Sequence, residues 1–196
     1  MKKQYVIPGL LLLVAIWMVM SYVRFHNTAV TMQENIKNRW ADVEAAYQQR
    51  ADLIPNLVNT VKGYAKHEKS TLESVIKARA SATQVKVDPS NITPAQLRRF
   101  QQAQQGLSGA LSRLLLVLER YPDLKADKHF LELQSQLEAI ENGIRLERRR
   151  FNKEVNAYNA YIRRFPNNLW AKLMHLGPME YFRSETGSEK APKVTF

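Results

Sequence analysis

Hydrophobic and polar positions follow two different rules along this chain. From Gln4 to Val23 no charged side chain appears, and apolar residues dominate the run. From Asn27 onward apolar residues return every three or four positions among charged and amide side chains, the period of a helix with one buried face. The span Tyr5–Val23 has 19 residues, which as a helix reaches about 28 Å, close to the hydrocarbon thickness of a bilayer. Tyr5 and Tyr22 fall where the two headgroup levels would be, and Lys2, Lys3 and Arg24 close the ends. Pro8 sits in the first turn, where its missing N–H costs little. A cleaved signal peptide would have a shorter apolar core followed by a small-x-small site. Met20-Ser21-Tyr22-Val23-Arg24 supplies none, so the segment reads as a retained anchor.

Beyond the span the pattern is that of long helices. One begins at Thr93, whose hydroxyl can cap it, with Pro94 at the first position and Gln96 at the third. Leu97, Phe100, Gln104, Leu107, Leu111, Leu114, Leu118 and Tyr121 then make a seam broken once by Gln104, and Pro122 stops it. The next helix starts near Asp127 and carries Leu133, Leu137, Ile140, Ile144, Phe151, Val155, Tyr158, Ile162 and Phe165. Between Ile144 and Phe151 the pattern skips a turn, a phase shift that locally unwinds a left-handed supercoil. The short link Pro122–Asp127 makes these two helices antiparallel neighbours. Earlier in the chain, Met32, Ile36, Trp40, Val43 and Tyr47 mark one face, and Leu57, Val61, Tyr64, Leu72, Val75 and Ile76 resume an apolar stripe after Pro55. Either Pro55 kinks one very long helix or it opens a second helix folded back on the first; two is favoured, because one helix so long could not pack against its partners along its whole length.

Charge narrows the partners more than the fold. The chain has 29 basic and 18 acidic residues. Setting Lys2, Lys3 and Arg24 aside with the span leaves 26 against 18, about +8 for the rest. Such a surface suits anionic headgroups or an acidic partner. An anchor and the lack of an aromatic-interleaved basic motif argue against nucleic acid. The cluster Arg145, Arg148, Arg149 and Arg150 reads as a solvated helix face with an intrahelical Glu141–Arg145 pair; an acidic-ligand role is the alternative.

Catalytic and metal chemistry find no foothold. There is no nucleophile elbow, phosphate loop or dinucleotide fingerprint. His67-Glu68 resembles the start of a zinc-protease motif, but position 71 is Thr, so the second histidine is missing. His26, His129 and His175 are scattered without carboxylate partners, and the absence of cysteine excludes thiolate sites, disulfides and a lipoprotein anchor. The sequence therefore offers no catalytic, cofactor-binding or metal-binding residues, and the expectation is a protein that is not an enzyme.

The segments Arg50–Glu68 (RADLIPNLVNTVKGYAKHE), Arg113–Phe130 (RLLLVLERYPDLKADKHF) and Arg149–Pro166 (RRFNKEVNAYNAYIRRFP) closely resemble the LemA family of bacterial membrane proteins, over about Asn27 to Phe182. The resemblance implies an N-terminal anchor and four helices, which would make Pro55 a helix boundary, and it brings no established enzymatic activity. One departure is Glu141-Asn142-Gly143-Ile144-Arg145, where members of the family usually read E-N-R-I-A. Gly143 costs roughly 1 kcal/mol of helix propensity against Ala and removes whatever a family arginine does there.

Asn152, Asn156 and Asn159, spaced i, i+4, i+7 beside Phe151, Val155 and Tyr158, form an amide row at core-facing spacing, with Asn56 and Asn59 after Pro55. The simpler reading is a satisfied layer that fixes helix register; the sharper one is a polar groove for a partner peptide or ligand. Gly106 and Gly109 suggest close backbone approach or a kink. In an up-and-down bundle the fourth helix returns to the membrane, so Leu169, Trp170, Lys172, Leu173, Met174 and Leu176 would either lie in the headgroup region or cap the bundle's open end.

The expected architecture is all-α: an N-terminal transmembrane helix followed by an antiparallel up-and-down four-helix bundle with long helices. The divisions are a membrane anchor over 1–26, a helical bundle over 27–182 and a disordered tail over 183–196. Lys2 and Lys3 make the N-terminal side the more positive, which favours a single-pass inner-membrane protein with its bulk on the extracytoplasmic side. Expected partners are membrane lipid through Tyr5–Val23 and a protein or a second copy. The expected role is interaction or scaffolding at the bacterial envelope; the alternative is an accessory or regulatory partner of a membrane enzyme such as a quality-control protease.

Overall fold

A computed structural model describes residues 3–65, 67–90 and 92–182. The fold is all-α. Helix α1 spans Lys3–Tyr64, 62 residues without interruption, or about 90 Å. After it come α2 (Lys69–Gln84), α3 (Pro94–Leu118), the single turn α4 (Pro122–Lys125), α5 (Lys128–Arg163) and the short α6 (Asn167–Leu173). Lys2 and the tail 183–196 lie outside the described residues.

The first part of α1 has no protein around it. From Ile7 to Met20 its large apolar side chains are exposed on every face, Leu10 through Val14 included. This stretch is long and apolar enough to cross a membrane. A helix apolar all round calls for an apolar surrounding, and no other part of the described chain supplies one. The change comes at Phe25 and Ala29, each 1% exposed. From there the same helix enters the body.

Pro55 does not separate two helices. It lies inside α1, and the chain reverses only across Ala65–Glu68. The reason is visible one turn earlier. Proline has no N–H to give the Ala51 carbonyl, and Arg79 from α2 supplies the missing bond, its Nε donating to Ala51 O at 2.6 Å. A neighbouring helix thus satisfies the acceptor that Pro55 leaves open.

α1 and α5 form the long antiparallel pair, and their register can be read from contacts along it. Phe25 stacks on Tyr161, Trp40 packs edge-on to Phe151, Arg50 pairs with Glu141, and the Tyr64 hydroxyl donates to Asp127 at 2.7 Å. α2 and α3 form a second antiparallel pair, with Gln104 Nε2 donating to Ala82 O and the Tyr121 hydroxyl to Glu68. The direction expected for α3 and α5 holds, but α5 packs chiefly along α1 and α3 along α2.

The helix starts follow the sequence closely. Thr93 accepts from Gln96 N–H and Gln96 accepts from Thr93 N–H, a complete capping box with Pro94 at the first position. Asp127 caps α5 by accepting from Phe130 N–H at 2.9 Å. That bond and the Tyr64 hydroxyl hold its carboxyl below the usual carboxylate range, and the same contact lifts the Tyr64 phenol. Gly106 and Gly109 do not mark a close approach: a methyl at either would meet nothing within 4 Å. Ile76 and Tyr64, expected on the apolar stripe, face outward at 51% and 44% exposure, while Leu57, Val61, Leu72 and Val75 are buried.

Candidate functional site

Three groups of residues stand out from ordinary core packing. The first is a buried polar layer midway along the body. Arg50, 1% exposed, occupies the next seam position after Trp40, Val43 and Tyr47. Its Nη1 donates to Ser108 Oγ and Glu141 Oε1, both at 2.8 Å, and its Nη2 donates to Gln104 Oε1 at 2.6 Å. The guanidinium also lies 5.1 Å from the centre of the Tyr47 ring. Gln104, the polar break in the α3 seam, is therefore a partner of Arg50. The expected Glu141–Arg145 pair does not form. Glu141 turns inward to the buried cation, and Arg145 instead donates to Asn142. An open cleft of about 690 Å³ between α3 and α5 has this layer in its wall, together with Gln101, Gln105 and Arg148.

The second group is the asparagine row, and neither sequence reading describes it fully. Asn159 Oδ1 accepts from Met179 N–H at 2.8 Å while its Nδ2 donates to Met179 O at 2.9 Å. Asn152 repeats the arrangement on Phe182, at 2.8 and 3.0 Å. Between them the Tyr181 hydroxyl accepts from Asn159 and donates to Asn156. The amides do not bond helix to helix, as a register layer would. They clamp an extended segment of the same chain by its backbone, as a strand partner would. The segment ends on Phe182, 5% exposed, whose ring stacks on Trp40 at 5.8 Å and meets Phe151 edge-on at 5.3 Å. The Arg148 guanidinium covers it at 5.2 Å, from the turn where the α5 pattern skips.

The third group is the corner where α5 turns into α6. Trp170 Nε1 donates to Ser21 Oγ at 3.1 Å, and its ring meets Tyr22 edge-on at 5.5 Å. Ser21 and Tyr22 belong to the apolar span, so α6 reaches back onto the span itself. Ala171 is buried in the body's core, while Phe165, Leu169 and Leu173 are 79%, 54% and 66% exposed. The inner face of α6 caps the body, and its outer edge is apolar at the level where the span ends. α6 closes on a Schellman turn, with Leu176 N–H bonding Ala171 O and His175 at φ 55°, a conformation that favours glycine.

None of these groups is a catalytic constellation. His67, His129 and His175 are exposed, His26 lies against the Tyr22 ring, and among the described residues no cluster of His, Asp and Glu could hold a metal ion. Glu68 accepts the Tyr121 hydroxyl. What the geometry does supply is one continuous helix that carries the apolar span into the body, a clamp for backbone, and an apolar edge on α6 beside the end of that span.

Sequence comparison agrees with that picture. A family model described as the LemA family matches residues 39–196, more than half of the chain. The chain belongs to the LemA family. Protein LemA of Metamycoplasma hominis is 26% identical over 163 residues, covering 83% of this chain and 71% of that protein. Magnetosome protein MamQ 2 of Paramagnetospirillum magneticum is 25% identical over 187 residues, covering 87% and 68%. Magnetosome protein MamQ of Magnetospirillum gryphiswaldense is 24% identical over the same length. The matched family region begins at Arg39, inside α1, so the segment joining span to body is continuous with the LemA-family core. This LemA-family chain is a membrane-associated helical protein in which no catalytic signature is visible among the described residues.

Proposed function

We propose that this protein is a non-enzymatic, single-pass scaffold of the bacterial inner membrane, with an anchor over 1–26, a body over 27–182 and a tail over 183–196. The body stands on the extracytoplasmic side and holds a protein partner, or a second copy, at a fixed height above the bilayer. The observation that carries this reading is the unbroken helix α1. A flexible linker would let a tethered domain swing; one continuous helix, braced where Trp170 meets Ser21, fixes the body's direction to that of the span. That two relatives are named as magnetosome proteins fits a role at a membrane.

Photo-crosslinkers placed along α3 and α5 in the membrane-bound full chain test this. A discrete protein adduct, or a self-adduct, from one face is expected; adducts distributed evenly over all faces would overturn the scaffold reading. If the captured protein is a membrane enzyme whose turnover changes when this chain is deleted, the role is regulatory. A reporter fused after Phe196 is expected to behave as exported, and activity confined to the cytoplasm would reverse the orientation.

A further inference from the structure

The end of the body that meets the span is basic throughout. Residues 1–33 and 155–179 contain no aspartate or glutamate. These are the stretches that α1, α5 and α6 bring together there, through Phe25 on Tyr161 and Trp170 on Ser21. Arg24, Arg163, Arg164 and Lys172 are all exposed at this end, and none is in an ion pair among the described residues.

Among them lies a hollow of about 560 Å³, between the last turns of the span and the α5–α6 corner. Its walls include Trp17, Met20, Ser21, Arg24, Tyr161 and Asn167. The lining changes character along the helix axis. Trp17 and Met20 belong to the uncharged run; Arg24 is the first charge after it, about 10 Å further along α1. The hollow therefore crosses the level where hydrocarbon gives way to headgroups. Asn167 is held in place by donating one amide N–H to Tyr161 O at 3.2 Å, which leaves its second N–H for a ligand.

We propose that this hollow is a site for one anionic glycerophospholipid. Its phosphate lies against the Arg24 guanidinium and the Asn167 amide, and an acyl chain follows Trp17 and Met20. The inference rests on the membrane-anchored reading above. A zwitterionic lipid would bring a second cation to a corner that already has four, where the described stretches 3–33 and 155–179 supply no acid to receive it. A soluble phosphate would match Arg24 but make no use of Trp17 and Met20.

The full-length chain in mild detergent, titrated with dioleoylphosphatidylglycerol or dioleoylphosphatidylcholine and read by native mass spectrometry, tests the site. One phosphatidylglycerol per chain is expected, preferred about fivefold, the factor one basic side chain provides at an anionic headgroup. Arg24→Gln should remove that preference. Met20→Trp should fill the hollow and lower occupancy with every charge still present, whereas Arg163→Gln, outside the lining, should keep most of the preference. Equal binding of both lipids, or an Arg24→Gln variant of unchanged helicity that still prefers phosphatidylglycerol, would overturn the proposal. Competition by glycerol 3-phosphate would overturn it in favour of a soluble phosphate. Alkaline extraction separates the two levels: a chain washed from membranes refutes the anchor, while a retained chain without lipid preference refutes only the site.

Discussion

The two halves of the body share α1 and α5 but bury different chemistry. Away from the apolar span, α1, α2, α3 and α5 enclose Leu, Ile, Val and Ala, with Phe130 the one aromatic among the buried side chains of this cluster in the described residues. Towards the membrane the buried set is Phe25, Trp40, Tyr47, Phe100, Phe151, Tyr158 and Phe182 among smaller residues. The difference follows from helix length. α2 ends at Gln84 and α3 begins at Pro94, so below that level only α1 and α5 continue. Two helices cannot enclose a core. Phe100, on the first turns of α3, still reaches Trp40 and Tyr47; beyond it α6 and the segment ending at Phe182 pack where α2 and α3 no longer run, and the asparagines pair backbone that no helix satisfies. The Arg50 layer lies where one regime passes into the other.

The strongest way to break this contrast is to remove the central ring. Trp40, wholly buried, touches Phe100, Phe151 and Phe182. Trp40→Ala should cost about 3–5 kcal/mol in urea unfolding and expose residues 174–182 to protease. Leu114→Ala in the aliphatic half should cost about 2–4 kcal/mol with that segment still protected. Equal protease sensitivity in the two variants would merge the halves into a single core.

At the boundary, Arg50 has a side chain 2% exposed while that of Glu141 is 35% exposed. Removing only the acid leaves a buried cation short of a partner, so Glu141→Leu should cost about 2 kcal/mol, discounted for its exposure. Arg50→Met together with Glu141→Leu should return to within about 1 kcal/mol of the parent, since an apolar pair replaces both charges. A double mutant no better than Glu141→Leu alone would mean that Gln104 and Ser108 depend on Arg50 more than Arg50 depends on Glu141.

The clamp can be graded residue by residue. Asn159→Leu removes a two-way bond to Met179 and the contact to Tyr181, a loss of about 1–3 kcal/mol. Asn156→Leu loses only a 3.4 Å contact to the Tyr181 hydroxyl and should stay within about 0.5 kcal/mol of the parent. Hydrogen exchange at the Met179 amide measures both. Acceleration by Asn156→Leu as large as by Asn159→Leu would show that the row acts as a unit.

Seam periodicity made α3, α5, their caps and the apolar span legible, because each rests on residues close together in sequence. What escaped depended on distant partners. Pro55 looks like a break until Arg79, 24 positions later, is seen to donate to Ala51 O. Arg50 stands at a seam position where a charge should not be, and together with the polar break at Gln104 that was the available signal for a buried layer. Glu141 has an arginine four residues along its own helix, and local spacing cannot reveal that a buried guanidinium across the body competes better for it. The asparagine row announced a purpose, but its occupant is a stretch of Met, Glu and Tyr with no periodicity at all.

Gly143 supplies the smallest and most discriminating test. It lies in α5 between the Glu141 layer and the skipped turn, where the aliphatic half gives way to the aromatic one, and a methyl there would meet nothing within 4 Å. If α5 is one rigid rod through both halves, Gly143→Ala should raise stability by about 0.5–1 kcal/mol, as should Gly106→Ala in the exposed face of α3. Both gains can be read from urea midpoints at unchanged slope. A gain at Gly106 without one at Gly143 would mean that α5 needs freedom where its two halves meet, and that the Arg50 layer is a joint between two separately packed units.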